Sequence, residues 1–324
     1  MCAFVAQSIR WPADRAVLLV HGIGDASGNG NAAFPKAELQ AALGADASKV
    51  AVYSLSYDFI NDWTARKTNV AAGIEALGKA VAERFDKPEL AATLAEYCGD
   101  ILWPVLHQDT RLAIRDAYMA QLQQIVLDCG EAALARGQDP LDYRVSIVAH
   151  SLGCYHTYEA LHAAVREPEY RLQPGTDLTQ LESVTLMASP VQLIRTVAGD
   201  IGALVPDKKS LATLDPAGLS LPAQMMGRRA VPATRNFLSV TGTQDPVGGH
   251  LLGSKKPWGF MDIAGQQTTI VSQSLLGDPI EALKLALRSG GGGAGAVISG
   301  TVQDPHSWTA YMTHESALLA KVLA

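Results

Sequence analysis

The chain has 324 residues and a formal net charge of −6, and 48% of its residues are hydrophobic. This length fits one large domain or two small ones, with enough apolar residues for a sizeable core. The acidic balance argues against nucleic-acid binding through a basic face, because nothing would offset repulsion from the phosphates. No apolar run approaches the roughly 20 residues of a membrane span, and the first residues lack a signal-peptide pattern, so we expect no transmembrane segment.

Cysteines are scattered singly, without the C-x-x-C spacing of a redox or zinc site, at Cys2, Cys98, Cys129 and Cys154. We therefore expect reduced thiols in a reducing compartment, and the predicted location is the cytoplasm. No motif indicates a metal or an organic cofactor.

Ala16 to Val20 (AVLLV) predicts a buried strand that runs directly into the sequence HGIG. Two glycines match a dinucleotide fingerprint, but its third would fall at Ser27, so we do not expect nucleotide binding. A glycine at this strand end lets the backbone turn sharply, so that the N–H of Ile23 can serve as an oxyanion-hole donor. The structural alternative is that His21 and Gly22 only shape the loop.

Val50 to Tyr57 (VAVYSLSY) alternates in polarity and predicts the next strand. Between residues 58 and 138 the pattern is helical, with alanine-rich segments at 70–85, 90–98 and 110–136. One helix would suffice to connect two parallel strands. We therefore expect a helical insertion or an extended helical layer at 58–138.

The strongest motif reads RVSIVAHSLGC. Its β-branched run, Val145 to Ala149, predicts a strand buried on both faces of a parallel sheet, and Cys154 to Arg166 predicts a helix. Ser151 lies in the tight turn between them. Such a turn is so sharp that the residues two before and two after the serine must be small, as Ala149 and Gly153 are.

A serine in this turn would stand at the carboxyl end of the sheet, above the N-terminus of the helix. The first helical N–H groups, beginning at Leu152, lack partners within the helix and point toward developing negative charge. This geometry suits a nucleophile that attacks a carbonyl carbon, whereas the structural alternative is a serine that only caps the helix. Ser151 is therefore the candidate nucleophile.

The second half of the chain adds three predicted strands, Leu181 to Met187, Arg235 to Gly242 and Ala296 to Val302. Residues 190–234 are irregular and rich in proline, which favours a cap or lid over the serine rather than a plain surface excursion. The segment 250–269 is predicted to be a loop, and 308–323 a closing helix.

Asp245 follows the second of these strands, and His306 follows the third. An aspartate just past a strand end can accept a hydrogen bond from a histidine and fix its tautomer, or it can simply cap a turn. His250 and His314 are alternatives to His306 as the base.

Ser151, Asp245 and His306 occur in the chain order of the α/β-hydrolase triad. With VLLVHGIG, VAHSLG, TGTQDPVG and DPHS, the chain resembles that superfamily over nearly its whole length. Within it, the chain resembles bacterial serine esterases and lipases whose elbow begins with alanine and, more loosely, hydrolases similar to GPI inositol-deacylases. The resemblance implies a single α/β domain over 1–324, with a mostly parallel central sheet, helices on both faces and a helical or irregular cap.

The resemblance also implies acyl transfer on a small-molecule carboxylic ester, without a cofactor or a metal. Ser151 would attack the carbonyl, His306 would carry the proton, and Asp245 would orient the imidazole. The backbone N–H groups of Ile23 and Leu152 would hold the oxyanion. His306 is preferred as the base because the superfamily places it directly after the last strand.

Two other functions stay open. A thioesterase, amidase or acyltransferase would use the same triad with a different pocket. A catalytically inactive hydrolase-fold protein that binds a lipid or a partner would show a missing triad member, and none is missing. The acyl chain length and the oligomeric state are not indicated by any pattern in the chain.

Overall fold

The computed structural model describes residues 15–22, 35–55, 57, 60, 108–140, 143–166, 181–191, 236–242, 267–271 and 308–323. In chain order, their regular elements are β1 (Arg15–Val20), α1 (Lys36–Leu43), a 3-10 helix (Gly44–Lys49), β2 (Val50–Leu55), α2 (Gln108–Ala135), β3 (Arg144–His150), α3 (Leu152–Arg166), β4 (Leu181–Met187), β5 (Asn236–Gly242), β6 (Gln267–Val271), α4 (Trp308–His314) and α5 (Ser316–Leu323).

The strands form one sheet in the order β2-β1-β3-β4-β5-β6, and every neighbouring pair is parallel. All carboxyl ends therefore meet at one edge. The register sets Val20 beside Ala149, His150 beside Met187, and Met187 beside Val240. The loops that leave β1, β3, β4 and β5 consequently start side by side, at the edge where α/β sheets bind ligands.

Alternate side chains of β1, β2 and β3 pack in two separate apolar layers, as the two-residue period of a strand requires. In β1, Leu18 and Val20 pack in the layer that contains α2 and α3. Val17 and Leu19 pack in the layer that contains α1, α4 and α5. The predicted α/β architecture with helices on both faces of a parallel sheet is confirmed.

The predicted strands at 16–20, 50–57, 145–149, 181–187 and 235–242 are all present, with ends shifted by two residues at most. The prediction of a loop over 250–269 is wrong at its end, because β6 begins at Gln267. Its sequence, QTTIV, lacks an apolar run, but β-branched threonine, isoleucine and valine favour the extended backbone.

The predicted closing helix is present as two pieces, α4 and α5, with Glu315 between them. Hydrogen bonding continues through the junction, because the Glu315 N–H donates to the carbonyl of Tyr311 at 2.9 Å and its own carbonyl accepts from Leu319 at 2.8 Å. The interruption is therefore local.

Several predicted features lie outside the described residues: the helices at 70–85 and 90–98, the strand at 296–302, most of the insertion 58–138 and most of the cap 190–234. None of the helices in the described ranges has the length and apolar character needed to cross a membrane.

Gly153 controls how closely α3 approaches β1. A Cβ on Gly153 would collide with the carbonyl oxygen of His21 and would lie 2.6 Å from that of Val20. Both obstacles are backbone atoms, which cannot rotate away. The prediction that the position two after the serine must be small is confirmed, and the obstacle is the end of β1.

We expect Gly153→Ala to lower the free energy of unfolding by about 3 kcal/mol, because the methyl group overpacks a rigid contact. The matched control is Gly137→Ala, where nothing lies within 4 Å but φ is +72°. That variant should cost only about 1 kcal/mol, the ordinary penalty of a left-handed alanine. Urea unfolding measures both, and equal losses would contradict the close approach of α3 to β1.

Candidate active site

Ser151 occupies the turn between β3 and α3 in a left-handed backbone conformation, with φ of 52°. Its N–H donates to the carbonyl of Met187 at 3.0 Å, and its carbonyl accepts from the Cys154 N–H at 2.9 Å. A left-handed non-glycine residue costs about 1–2 kcal/mol and persists where surrounding contacts hold it. Here the backbone bonds to β4 and α3 hold it, and the residue is buried.

A second left-handed residue lies at the neighbouring strand end. Ala188 follows β4 with φ of 53°, and its N–H donates to the carbonyl of Val240 in β5 at 2.9 Å. The Cys154 thiol donates to the Met187 carbonyl at 3.3 Å, so this thiol points back at the sheet rather than toward the serine. The ends of β3, β4 and β5 are thus joined by backbone bonds beside Ser151.

Gly22 lies directly against Ser151. A Cβ at position 22 would lie 2.5 Å from the Cβ of Ser151 and 3.1 Å from its Oγ, and 3.3 Å from Nδ1 of His150. Only a glycine leaves room for the serine side chain at this point. The end of β1 and the serine turn, which are 129 residues apart in the chain, therefore meet as the sequence analysis expected.

His21 is buried beside Gly22 and keeps both ring nitrogens occupied. The backbone N–H of Tyr57 donates to Nε2 at 3.4 Å, so Nδ1 carries the proton and bonds to the Gly22 carbonyl at 2.6 Å. Burial lowers the pKa of His21 to about 4, although the bond to Gly22 opposes this shift. The imidazole is therefore neutral at pH 7, and it is already committed to the backbone.

Tyr57 completes this cluster. Its ring stacks on that of His21, with centroids 4.4 Å apart and planes 9° apart. Its hydroxyl points between two carbonyl oxygens, those of His21 at 2.8 Å and Gly22 at 3.0 Å. The sequence pattern predicts Tyr57 only as the last residue of a strand, whereas β2 ends at Leu55. The one sequence feature that could have marked Tyr57 as a site residue is its position next to the carboxyl end of that strand.

His156 lies behind Tyr57 on α3. Its ring meets that of Tyr57 edge-on at 4.5 Å and that of Tyr155 at 5.4 Å. Burial and the proximity of His21 lower the pKa of His156 to about 3. Within the described part of the chain, its buried Nε2 finds no hydrogen-bond partner. Two neutral histidines thus lie behind the serine turn, and folding keeps both unprotonated.

On the other side of the serine, His150 packs against the start of α4. Its ring is stacked on Trp308, with centroids 5.4 Å apart and planes 8° apart, and is tilted against Tyr311 at 6.2 Å. The Tyr311 hydroxyl accepts a hydrogen bond from the N–H of Gly242, the last residue of β5, at 2.6 Å. Helix α4 is therefore attached to the ends of both β3 and β5.

Of the predicted site residues, Ser151 and Leu152 lie within the described ranges. Ile23, Asp245 and His306 lie outside them, as does the alternative base His250. The other alternative, His314, is the last residue of α4.

No group of three His, Cys, Asp or Glu side chains that could hold a metal ion occurs among the residues described. Comparisons of the chain with protein-family models, with curated proteins and with solved structures found no match.

The two buried histidines predict that stability falls in acid. Their pKa values are about 4 and about 3 in the folded chain, below the ordinary value near 6.5. Stability is therefore complete above pH 6.5 and is lost as the pH falls, because the unfolded chain takes up the protons. Between pH 7 and pH 5 each histidine should cost about 2 kcal/mol.

We expect His156→Phe to remove about 2 kcal/mol of this pH dependence while keeping the aromatic contacts. Urea unfolding at pH 7 and pH 5 measures the difference. The control is Tyr155→Phe, which alters the neighbouring ring and retains both histidines, so it should keep the wild-type pH dependence. An unchanged pH dependence in His156→Phe would show that His156 does not resist protonation in the folded state.

Proposed function

We propose that the chain is a serine hydrolase of the α/β-hydrolase superfamily that cleaves a carboxylic ester through an acyl-enzyme on Ser151. The observation that carries this proposal is the left-handed Ser151, held at the carboxyl edge of a parallel sheet with Gly22 directly against it. Backbone strain of this kind concentrates at functional sites. A serine that only capped α3 would not need the end of β1 packed against its side chain.

A serine at neutral pH needs a base, and we assign this role to His306. Trp308 follows His306 by two residues and stacks on His150, the residue before the nucleophile. Two residues of extended chain span at most about 7 Å, so this stack limits how far the base can lie from the serine turn. His21 is unsuitable as the base, because both of its nitrogens bond to the backbone.

Asp245 is the proposed partner of the base. It follows the last residue of β5, Gly242, by three residues, a span of at most about 10 Å. The bond from the Gly242 N–H to the Tyr311 hydroxyl ties this strand end to the helix that begins just after His306. The strand end that precedes Asp245 and the helix that follows His306 are thus attached to each other, and the helix also packs against the serine turn.

In the proposed reaction, Ser151 Oγ attacks the ester carbonyl carbon while His306 takes the hydroxyl proton. The N–H groups of Leu152 and Ile23 stabilise the oxyanion of the tetrahedral intermediate. Collapse of this intermediate breaks the bond to the alkoxy oxygen, and His306 returns the proton to the leaving alcohol. Water, deprotonated by His306, then attacks the acyl-enzyme, and the carboxylic acid and the free serine are released.

The substrate is proposed to be a small-molecule ester, and the location the cytoplasm. The described cysteines Cys129 and Cys154 are buried free thiols, as expected in a reducing compartment.

Fluorophosphonate labelling tests the nucleophile and its base. We expect wild type to be labelled and Ser151→Ala not at all. His306→Ala and Asp245→Asn should slow labelling by at least about 100-fold, because a serine without its oriented base is a poor nucleophile. The matched control is Ser189→Ala, a buried serine at the same sheet edge, which should label like wild type.

Two results would contradict this assignment. Labelling that survives His306→Ala but is lost in His314→Ala or His250→Ala would move the base to one of those residues. A folded wild type that is not labelled would contradict the hydrolase and favour a protein that binds a lipid or a partner. For a labelled protein, matched p-nitrophenyl esters, thioesters and anilides then separate an esterase from a thioesterase or an amidase.

A further inference from the structure

The Gly22 carbonyl oxygen lies outside any strand, yet two side chains bind it. It accepts the Nδ1–H of His21 at 2.6 Å and the hydroxyl of Tyr57 at 3.0 Å. A carbonyl oxygen has two lone pairs, and both donors lie within reach of them. The single hydroxyl proton of Tyr57 is shared between this carbonyl and that of His21, which lies 2.8 Å away. A loop carbonyl that served only to connect elements would be satisfied by water without two buried aromatic residues.

Both donors are themselves held in place. The Tyr57 N–H donates to Nε2 of His21, which leaves the imidazole proton on Nδ1, and the two rings are stacked. Tyr57 is fully buried, bonds to the His21 carbonyl at 2.8 Å and packs against the His156 ring. We call His21 and Tyr57 the carbonyl brace. The brace is therefore rigid before any substrate arrives.

The orientation of the Gly22 carbonyl also sets the N–H at the other end of the same peptide bond. A trans peptide is planar, so its N–H points opposite to its C=O. We propose that His21 and Tyr57 are positioning residues: by holding the Gly22 carbonyl on their side, they fix the orientation of the peptide bond whose N–H, that of Ile23, is the proposed oxyanion donor. This inference rests on the proposed hydrolase function.

The brace matters because Gly22 has no side chain to restrict its own backbone dihedral angles. A glycine loop samples wide ranges of φ and ψ, so an unbraced donor would be aimed correctly only part of the time. Deleting an oxyanion-hole donor outright costs roughly 100- to 1,000-fold in rate, and the value of such a donor comes from its fixed orientation. Loosening the brace should therefore cost less than deletion, and the loss should appear in the transition state alone.

The test compares Tyr57→Phe with Tyr118→Phe. Each variant removes one buried phenol hydroxyl and keeps its ring, but the Tyr118 hydroxyl donates to Thr157 at 3.1 Å rather than to a Gly22 or His21 carbonyl. With p-nitrophenyl butyrate, we expect Tyr57→Phe to lower kcat by about 10-fold and to leave KM within about 2-fold. Tyr118→Phe should keep the wild-type kcat. Rates are normalised to active sites counted by complete fluorophosphonate labelling.

Two further readouts separate positioning from a structural role. An alkyl trifluoromethyl ketone, whose adduct carries an oxyanion, should bind Tyr57→Phe more weakly by the factor lost in kcat/KM. The midpoints of the pH–rate profile should not move, because His21 and Tyr57 bond to backbone carbonyls at the end of β1 and take no part in the proposed proton transfer. His21→Phe removes the second donor, and its effect on log kcat should be less than additive with that of Tyr57→Phe, since both act on one carbonyl.

The outcomes distinguish the brace from the function on which it rests. An active wild type with equal kcat in the Tyr57 and Tyr118 variants overturns the brace and leaves the hydrolase standing. A raised KM with unchanged kcat also overturns it, because Tyr57 would then act in substrate binding. A folded wild type that neither hydrolyses esters nor reacts with fluorophosphonate overturns both.

Discussion

The close approach of α3 to the end of β1 is the constraint on which the rest of the site depends. Gly153 lies against the carbonyls of Val20 and His21, so the first turn of α3 sits directly against the strand end. The serine turn between α3 and β3 also lies against Gly22, and Ser151 takes up the left-handed conformation there. Two positions without a Cβ, 153 and 22, thus convert a strand-to-helix connection into a strained turn.

Two aromatic pairs flank that turn, and each ties a loop to it. On the β2 side, Tyr57 stacks on His21 and bonds to the loop after β1. On the α4 side, Trp308 stacks on His150. Aromatic pairs of this kind contribute about 0.5–1.5 kcal/mol beyond the area they bury. That energy is modest, but it orients His21 and Trp308, which lie two positions from the proposed oxyanion donor and the proposed base in the chain.

The histidines near Ser151 therefore divide by role. His21 and His156 are buried, neutral and committed to structure, and their resistance to protonation makes the fold less stable in acid. The proposed base, His306, is a different residue, two positions before Trp308 in the chain. Keeping the structural histidines apart from the proposed base would let the brace stay neutral and fixed while that base gained and lost a proton in each proposed turnover.

The sequence alone determined β1 to β5, the parallel α/β class and the serine turn. These depend on local patterns: β-branched runs, a helix of period 3.6, and small residues two positions either side of Ser151. Tertiary structure alone decided the strand order, the presence of β6, and the partners of Tyr57, His150 and Gly242. The Tyr57 hydroxyl bonds to carbonyls that are 35 and 36 residues away in the chain. The Gly242 N–H bonds to the Tyr311 hydroxyl, 69 residues away. Periodicity reports whether a side chain is buried, whereas the identity of its partner depends on how distant segments pack.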